Sequence, residues 1–181
     1  MTTQKTKTIK FGKSQISETG PIYFIAEIGH NHQGNLDTAL KMIEEAARCG
    51  ADAIKLQKRH NKVLYTKTFY NKPYESENSY GPTYGTHRDF LEFDKNQYKK
   101  LKKCAEDNGV EFLSTAFDLP SVDFLEEIGV NAYKVASGDL TNIPLLTYIA
   151  KLGKPMIVST GASILKEVKI AYDAILKYNN Q

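Results

Sequence analysis

Ala132-Tyr133-Lys134-Val135-Ala136-Ser137 is a short apolar strand with a lysine at its centre, and it follows Gly129, where the preceding helix stops. The chain repeats this phrase. Gly50 leads to Ala51-Asp52-Ala53-Ile54-Lys55-Leu56-Gln57, Gly109 to Phe112-Leu113-Ser114-Thr115, and Gly153 to Met156-Ile157-Val158-Ser159-Thr160. Each glycine suits the left-handed position that closes a helix, and each strand stops at polar groups. The pattern is a run of βα units. Polar side chains at the carboxyl ends of successive parallel strands can converge on one ligand, so the chain reads as an enzyme scaffold.

The lysine decides between two parallel architectures. In a strand, successive side chains point to opposite faces. Ile54 and Leu56 therefore share one face and Lys55 and Gln57 the other, while Tyr133 and Val135 face away from Lys134. A doubly wound sheet carries helices on both faces and has no place for Lys134. A barrel interior is polar near its mouth, where Glu27, Lys55, Gln57, Thr115, Lys134 and Ser159 would all point inward. The expected fold is α/β, a partial (β/α)8 TIM barrel of about five βα units after an N-terminal β-hairpin. Closure takes eight strands and five are counted before Gln181, so residues 1–20 are read as the hairpin and 21–181 as a truncated barrel domain.

Working outward, Thr8 to Phe11 and Gln15 to Ser17 alternate around Gly12-Lys13, which predicts the hairpin. Strand one is expected over Ile22 to Ile28. Leu36, Ala39, Leu40, Ile43 and Ala47 recur at helical spacing after Asn35, a suitable N-cap. A second helix starts at Asp94, with Gln97 completing a capping box, and buries Tyr98, Leu101 and Ala105 with Cys104 beside them. Helices near Ser121 to Ile128, Ile143 to Leu152 and Ile164 to Tyr178 complete the units. Between Gln57 and Asp94 the rhythm breaks into a long segment rich in Tyr, Asn, Gly and Pro, expected as a loop. A loop of that length at a strand end is a lid or binding loop, or an ordered surface loop without a ligand.

With 181 residues, 41% hydrophobic and 25% charged, the chain has globular composition and enough length for a sizeable core. The formal charge of +3 is spread along it. The lysines from Lys99 to Lys103 and from Lys5 to Lys13 read as solvated faces, so nucleic acid is not an expected partner. Cys49 and Cys104 lack metal-type spacing and indicate neither a disulfide framework nor a zinc site, which fits a reduced cytoplasm. No apolar run approaches the roughly 20 residues that span a bilayer, and the polar start lacks a signal-peptide core. A soluble cytoplasmic protein is expected, with no membrane partner.

Phe24-Ile25-Ala26-Glu27-Ile28-Gly29-His30-Asn31-His32-Gln33-Gly34, Ile54-Lys55-Leu56-Gln57, Phe112-Leu113-Ser114-Thr115-Ala116-Phe117, Ala132 through Gly138 and Ile157-Val158-Ser159-Thr160-Gly161 resemble the successive strand-end motifs of the N-acetylneuraminate (sialic acid) synthase family. The match runs in order from about Phe24 to the end, which makes it more specific than any single motif. The resemblance implies the N-terminal part of a barrel enzyme that condenses phosphoenolpyruvate with N-acetylmannosamine, or a related amino sugar, to a nonulosonic acid and phosphate. It also implies similarity in fold and chemistry to the enzyme making the first intermediate of aromatic biosynthesis.

Phosphoenolpyruvate carries a phosphate and a carboxylate, so its site needs cations and hydroxyl or amide donors. Lys55 and Lys134 are the cations, and the resemblance places Thr115, Ser137 and Ser159 around the phosphate. Strand-end capping is the alternative for each hydroxyl. Glu27 is the candidate catalytic carboxylate near the sugar, its alternative being an ion pair with Lys55 or Lys134. Gln57 and Asp139 would face the sugar, Asp139 standing where the family pattern has Glu. Arg59 could serve either substrate or be an exposed loop arginine, and Tyr80 to Phe93 could wall the sugar site. The resemblance further implies a divalent metal, manganese or magnesium, held by histidines beyond residue 181, a C-terminal antifreeze-like domain and a homodimer. The present stretch alone is then not expected to turn over. His30-x-His32 also fits a metal-dependent amidohydrolase barrel, but the end of strand five reads Ser159-Thr160-Gly161 where such enzymes need a histidine. A non-catalytic fragment is the third reading.

Overall fold

The computed structural model describes residues 8–179; the first seven residues of the 1–20 segment, Lys5 and Lys7 among them, and residues 180–181 lie outside it. Strands β1 (Thr8–Phe11) and β2 (Ser14–Ser17) form an antiparallel hairpin. The five strands that follow are β3 (Ile25–Gly29), β4 (Ala53–Lys58), β5 (Glu111–Ala116), β6 (Tyr133–Val135) and β7 (Met156–Val158). They pair in parallel, in the order β3-β4-β5-β6-β7, with no reversal. Sequential order without a switch point is the arc of a β/α barrel and rules out the doubly wound alternative.

The helices cover the outer face. α1 (Leu36–Arg48) is N-capped by Asn35, whose side chain accepts from the Thr38 amide, and it buries Ala39 and Ile43. Three short helices, α2 (Asn61–Leu64), α3 (Lys67–Tyr70) and α4 (Tyr84–Phe90), come next in the chain. α5 (Lys95–Asp107) starts in the Asp94–Gln97 capping box and buries Tyr98, Leu101 and Ala105. α6 (Leu119–Ile128) begins two residues earlier than its periodicity suggested, because Asp118 caps it and Pro120 is tolerated in its first turn. It ends at Gly129, whose φ of 78° is open to glycine and strained for other residues. α7 (Ile143–Ala150) and α8 (Leu165–Leu176) complete the layer, each a little shorter than the apolar pattern. Ile54, Leu56, Phe112, Ala116, Tyr133 and Val135 join these helices in one core.

Strand one departs from expectation at its start. Ile22 is 89% and Phe24 65% exposed, and β3 begins only at Ile25. The Phe24 amide donates to the Asp52 carboxylate (2.6 Å) instead of to a neighbouring strand, so the ladder opens one residue later.

The segment between Gln57 and Asp94 is the larger correction. In place of a loop it holds α2, α3 and α4, the last two started by Thr66 and Thr83 caps. Tyr65, Phe69, Tyr74, Tyr84 and His87 pack edge-on or tilted against one another with centroids 4.7 to 6.3 Å apart. Aromatic packing and caps order this segment, and neither leaves the apolar period that marks a long helix.

Candidate active site at the carboxyl ends of the strands

Register sets the inner face. Glu27 pairs with Lys55, Gln57 with Thr115, and Thr115 with Lys134. Side-chain alternation then gives that face two storeys. The lower one is apolar: Ala53, Leu113 and Ala132 pack with Ile25 and Ile157, and Phe11 of the hairpin, 2% exposed, plugs it. The upper one is the row Glu27, Lys55, Gln57, Thr115, Lys134 and Ser159 anticipated from alternation.

The side chains of that row meet in two groups. The Lys55 ammonium donates to the Glu27 carboxylate, so the ion pair considered for Glu27 is formed, and it lies 3.4 Å from Thr115 Oγ1. Lys134 Nζ donates to Ser159 Oγ (2.7 Å) and to the Val135 carbonyl (2.6 Å). Among the described residues it has no carboxylate within 4 Å. Burial, and then the charge of Lys55, hold the Lys134 amine below the ordinary lysine range, with Glu27 pulling the other way. A partly desolvated ammonium without a counter-ion is the electrostatic form of an anion site.

Gly29 makes room beside this row. β3 shifts register between Glu27 and Gly29, where φ is +55°, and a Cβ there would meet Glu27 Oε1 at 3.1 Å and Gln57 Nε2 at 3.5 Å. Glu27 and Gln57 thus flank a backbone that only glycine leaves clear. On the far side, Ser137 opens a 3-10 turn (Ser137–Asp139) and its Oγ lies 3.5 Å from where a Cβ on Gly161 would be, so it borders the end of β7. Asp139 Oδ1 accepts from Asn142 Nδ2 (3.2 Å), and burial raises its carboxyl above the usual carboxylate range.

Sequence reasoning missed a second layer. Glu92, between the buried Leu91 and Phe93, is held by Lys58 Nζ (3.0 Å) and the Arg59 amide (3.2 Å), with His30 Nε2 3.6 Å away. Lys58 also donates to the Phe93 carbonyl (2.9 Å) and lies 4.7 Å from the Phe124 ring centre. A lone carboxylate between two core residues was the available signal. Arg59 corrects an expectation, because it is not an exposed loop arginine: it stacks 3.7 Å over Phe117 and donates to Gln57 Oε1 (2.7 Å). Asp118 ties this rim to α6, accepting from the His60 amide (2.7 Å) as well as from Ser121 (2.8 Å).

His30 and His32 do not make a metal pair. His32 is 1% exposed, its Nδ1 accepts from the Gly34 amide (3.0 Å), and it stacks 4.3 Å from Phe93. Burial, and then His30, push it down to about 4, so at neutral pH it is an uncharged core ring. Among the described residues no three His, Cys, Asp or Glu side chains come together to hold a metal ion. The amidohydrolase reading loses its ligands here.

An arc of parallel strands in sequential order, with two lysines near their carboxyl ends, defines part of a β/α barrel. The chain belongs to the NeuB family, whose model matches residues 42–181. It is 42% identical over 159 residues to the N-acetylneuraminate-9-phosphate synthase of Homo sapiens, an alignment covering 88% of this chain and 44% of that protein. In fold it is similar to the N-acetylneuraminic acid (sialic acid) synthetase of Leptospira borgpetersenii serovar Hardjo-bovis, solved in complex with citrate. The TM-score is 0.81 at 32% identity, over 96% of this chain and 56% of that one. The phospho-2-dehydro-3-deoxyheptonate aldolase of Thermotoga maritima shares the fold alone, with a TM-score of 0.66 at 14% identity over 96% of this chain and 43% of that one. The chain thus spans less than half the length of the human relative.

Proposed function

We propose that this chain carries the phosphoenolpyruvate side and part of the sugar side of a sialic acid synthase, an enzyme joining phosphoenolpyruvate to N-acetylmannosamine or a related N-acetylated amino sugar. The observation that supports it best is the inner row itself, where Lys55 meets Thr115 and the Glu27 carboxylate at one side and Lys134 meets Ser159 at the other. Phosphoenolpyruvate needs such a set, cations for its charges and hydroxyl donors for its oxygens. Lys134, with Ser159 and Ser137 beside it, takes the phosphate with Thr115, and Lys55 bridges between that group and Glu27.

Glu27 then acts on the sugar. Opening of the ring and addition to the aldehyde both move a proton at oxygen, and a carboxylate already sharing a proton-rich contact with Lys55 is suited to that transfer. The new bond joins the methylene carbon of phosphoenolpyruvate to the aldehyde carbon. The aldehyde oxygen gains a proton, water supplies the ketone oxygen, and phosphate leaves. Gln57 and Asp139 hold sugar hydroxyls, and the wall Tyr80 to Phe93 closes that side.

The family resemblance adds a divalent metal, manganese or magnesium, a homodimer, and a cytoplasmic place in carbohydrate biosynthesis for the whole enzyme. The described residues do not fit a metal, because His32 is buried with its Nδ1 engaged by the Gly34 amide and no three ligand side chains converge. No helix among the described residues is long and apolar enough to cross a membrane.

Calorimetric titration with phosphoenolpyruvate tests the reading. Lys134→Ala is expected to weaken binding by about 1.5 to 3 kcal/mol, the worth of a hydrogen bond to a charged group. Unaltered affinity would remove Lys134 from the site.

A further inference from the structure

The imidazole of His30, at the end of β3, lies between opposite charges. Its Nε2 is 3.5 Å from Arg59 Nη1 and 3.6 Å from Glu92 Oε1, and only 12% of its side chain is exposed. Glu92 Oε1 is itself buried without a hydrogen-bond partner, whereas Oε2 takes Lys58 and the Arg59 amide. One ring nitrogen can serve only one of these neighbours at a time. Unprotonated, Nε2 accepts from the guanidinium. Protonated, it donates to the carboxylate and sets two cations against each other, so a single proton reverses the sign of both contacts.

Arg59 carries that choice to the inner row. Its Nη2 donates to Gln57 Oε1 (2.7 Å), which fixes the way round that the amide stands. With Oε1 engaged, Gln57 Nε2 is left on the side of Gly29 and Glu27, 3.5 Å from where a Cβ on Gly29 would be. Gln57 therefore presents N–H donors to that side of the mouth. The charged and titratable groups around His30 come from every element packed there: Arg59 beyond β4, His87 and Arg88 on α4, Glu92 after α4 with Lys58 behind it, and His32 in its own turn. Burial, opposed by Glu92 and reinforced by Arg59 and Arg88, holds the ring below its ordinary value of 6.5, so it is uncharged at neutral pH.

We propose that His30 is a positioning residue that acts on Gln57 through Arg59 and makes affinity for the amino sugar depend on a proton. The neutral ring holds the guanidinium on Gln57 Oε1. The protonated ring turns to Glu92 and releases it, and the amide loses its fixed orientation. This rests on the synthase reading, in which Gln57 faces the sugar.

Affinity is then complete above the value that His30 takes in the fold and falls as pH drops through it, in a window below pH 6.5. N-acetylmannosamine has no group that titrates there, so calorimetric titration of the full chain with this sugar, in steps from about pH 7.5 to about pH 5, reads the protein. The affinity is expected to fall roughly three- to tenfold, the worth of one hydrogen bond. His30→Gln, which offers an acceptor that takes no proton, should flatten the profile and at pH 7.5 bind more tightly than His30→Ala. In nuclear magnetic resonance spectra the side-chain amide of Gln57, assigned by its loss in Gln57→Ala, should shift with the midpoint of the His30 ring. A Gln57 amide that does not follow His30 overturns the proposal, as does a flat affinity profile or a slope that survives His30→Gln. If His30→Gln fails to fold, the Gln57 amide on the unaltered chain decides alone. Absence of sugar binding at every pH overturns the proposal even where phosphoenolpyruvate binds. Phosphoenolpyruvate that does not bind at pH 7.5, while the sugar binds with the expected slope, sinks the synthase reading and leaves the role of His30 standing.

Discussion

The inner face of the sheet is two regions stacked on the same strands. At the amino ends Ala53, Leu113 and Ala132 meet the Phe11 plug and exclude water. Two residues further along the same face, Lys55, Thr115 and Lys134 stand with Glu27 and Ser159 in a row of polar contacts. Alternation keeps both sets on one face, and depth alone separates them. The lower storey lowers the energy of the fold, and the upper one holds charge that the fold does not neutralise. Apolar packing and unneutralised charge thereby stand at different levels of the same pleat.

The sharpest way to break this division is at the plug. Phe11→Ala should cost about 3 to 5 kcal/mol, the usual range for a buried phenylalanine, measured by chemical denaturation. A cost below about 1 kcal/mol would mean that the hairpin is an ornament to the sheet and the floor needs no cover.

Next in size is the rim, where His32 is buried against Phe93. Its ordinary value of 6.5 is depressed to about 4 by burial and by His30. The unfolded chain takes up this proton near pH 6.5 and the folded chain only near pH 4. Stability from the neutral ring is therefore complete above about pH 6.5 and is lost as pH falls through that window, on the order of 3 kcal/mol in all. Burial lowers His30 as well, so it adds in the same direction. Denaturation at pH 7.5, 5.5 and 4.5 reads the slope. His32→Asn, which keeps an acceptor for the Gly34 amide, should flatten it, and an unchanged slope would assign the effect to other groups.

The smallest effect is expected at the mouth. Lys134→Met removes two hydrogen bonds and one half-buried charge without a counter-ion, so stability should move by no more than about 1 kcal/mol in either direction. A loss comparable to that of Phe11→Ala would show that the upper storey is structural after all and erase the contrast.

Much of this was legible along the chain because its causes are local. A strand alternates with a period of two, so the neighbours of Lys55 and of Lys134 already say which face each occupies. Asn35 and Asp94 cap the helices they precede within four residues, and Gly129 closes one within its own φ angle. These short-range rules were enough for the βα rhythm, the preference for a barrel and the inward row. The three short helices between Gln57 and Asp94 stayed hidden, because edge-on and tilted aromatic contacts order them and no apolar period records that.

The tertiary structure alone decided which charges are satisfied. Lys58 and Glu92 are 34 residues apart, Arg59 and His30 are 29 apart, and Lys55 reaches Glu27 across 28. Whether a lysine is paired, an arginine is buried or a histidine is neutral depends on which distant segment folds against it, since Coulomb and desolvation energies are set by distance and burial in space. The sequence by itself determined that lysines would stand inside a barrel-like arc. Only tertiary packing determined that Glu27 would be paired by Lys55 and Glu92 by Lys58, while Lys134, Arg59 and Arg88 have no carboxylate within 4 Å among the described residues.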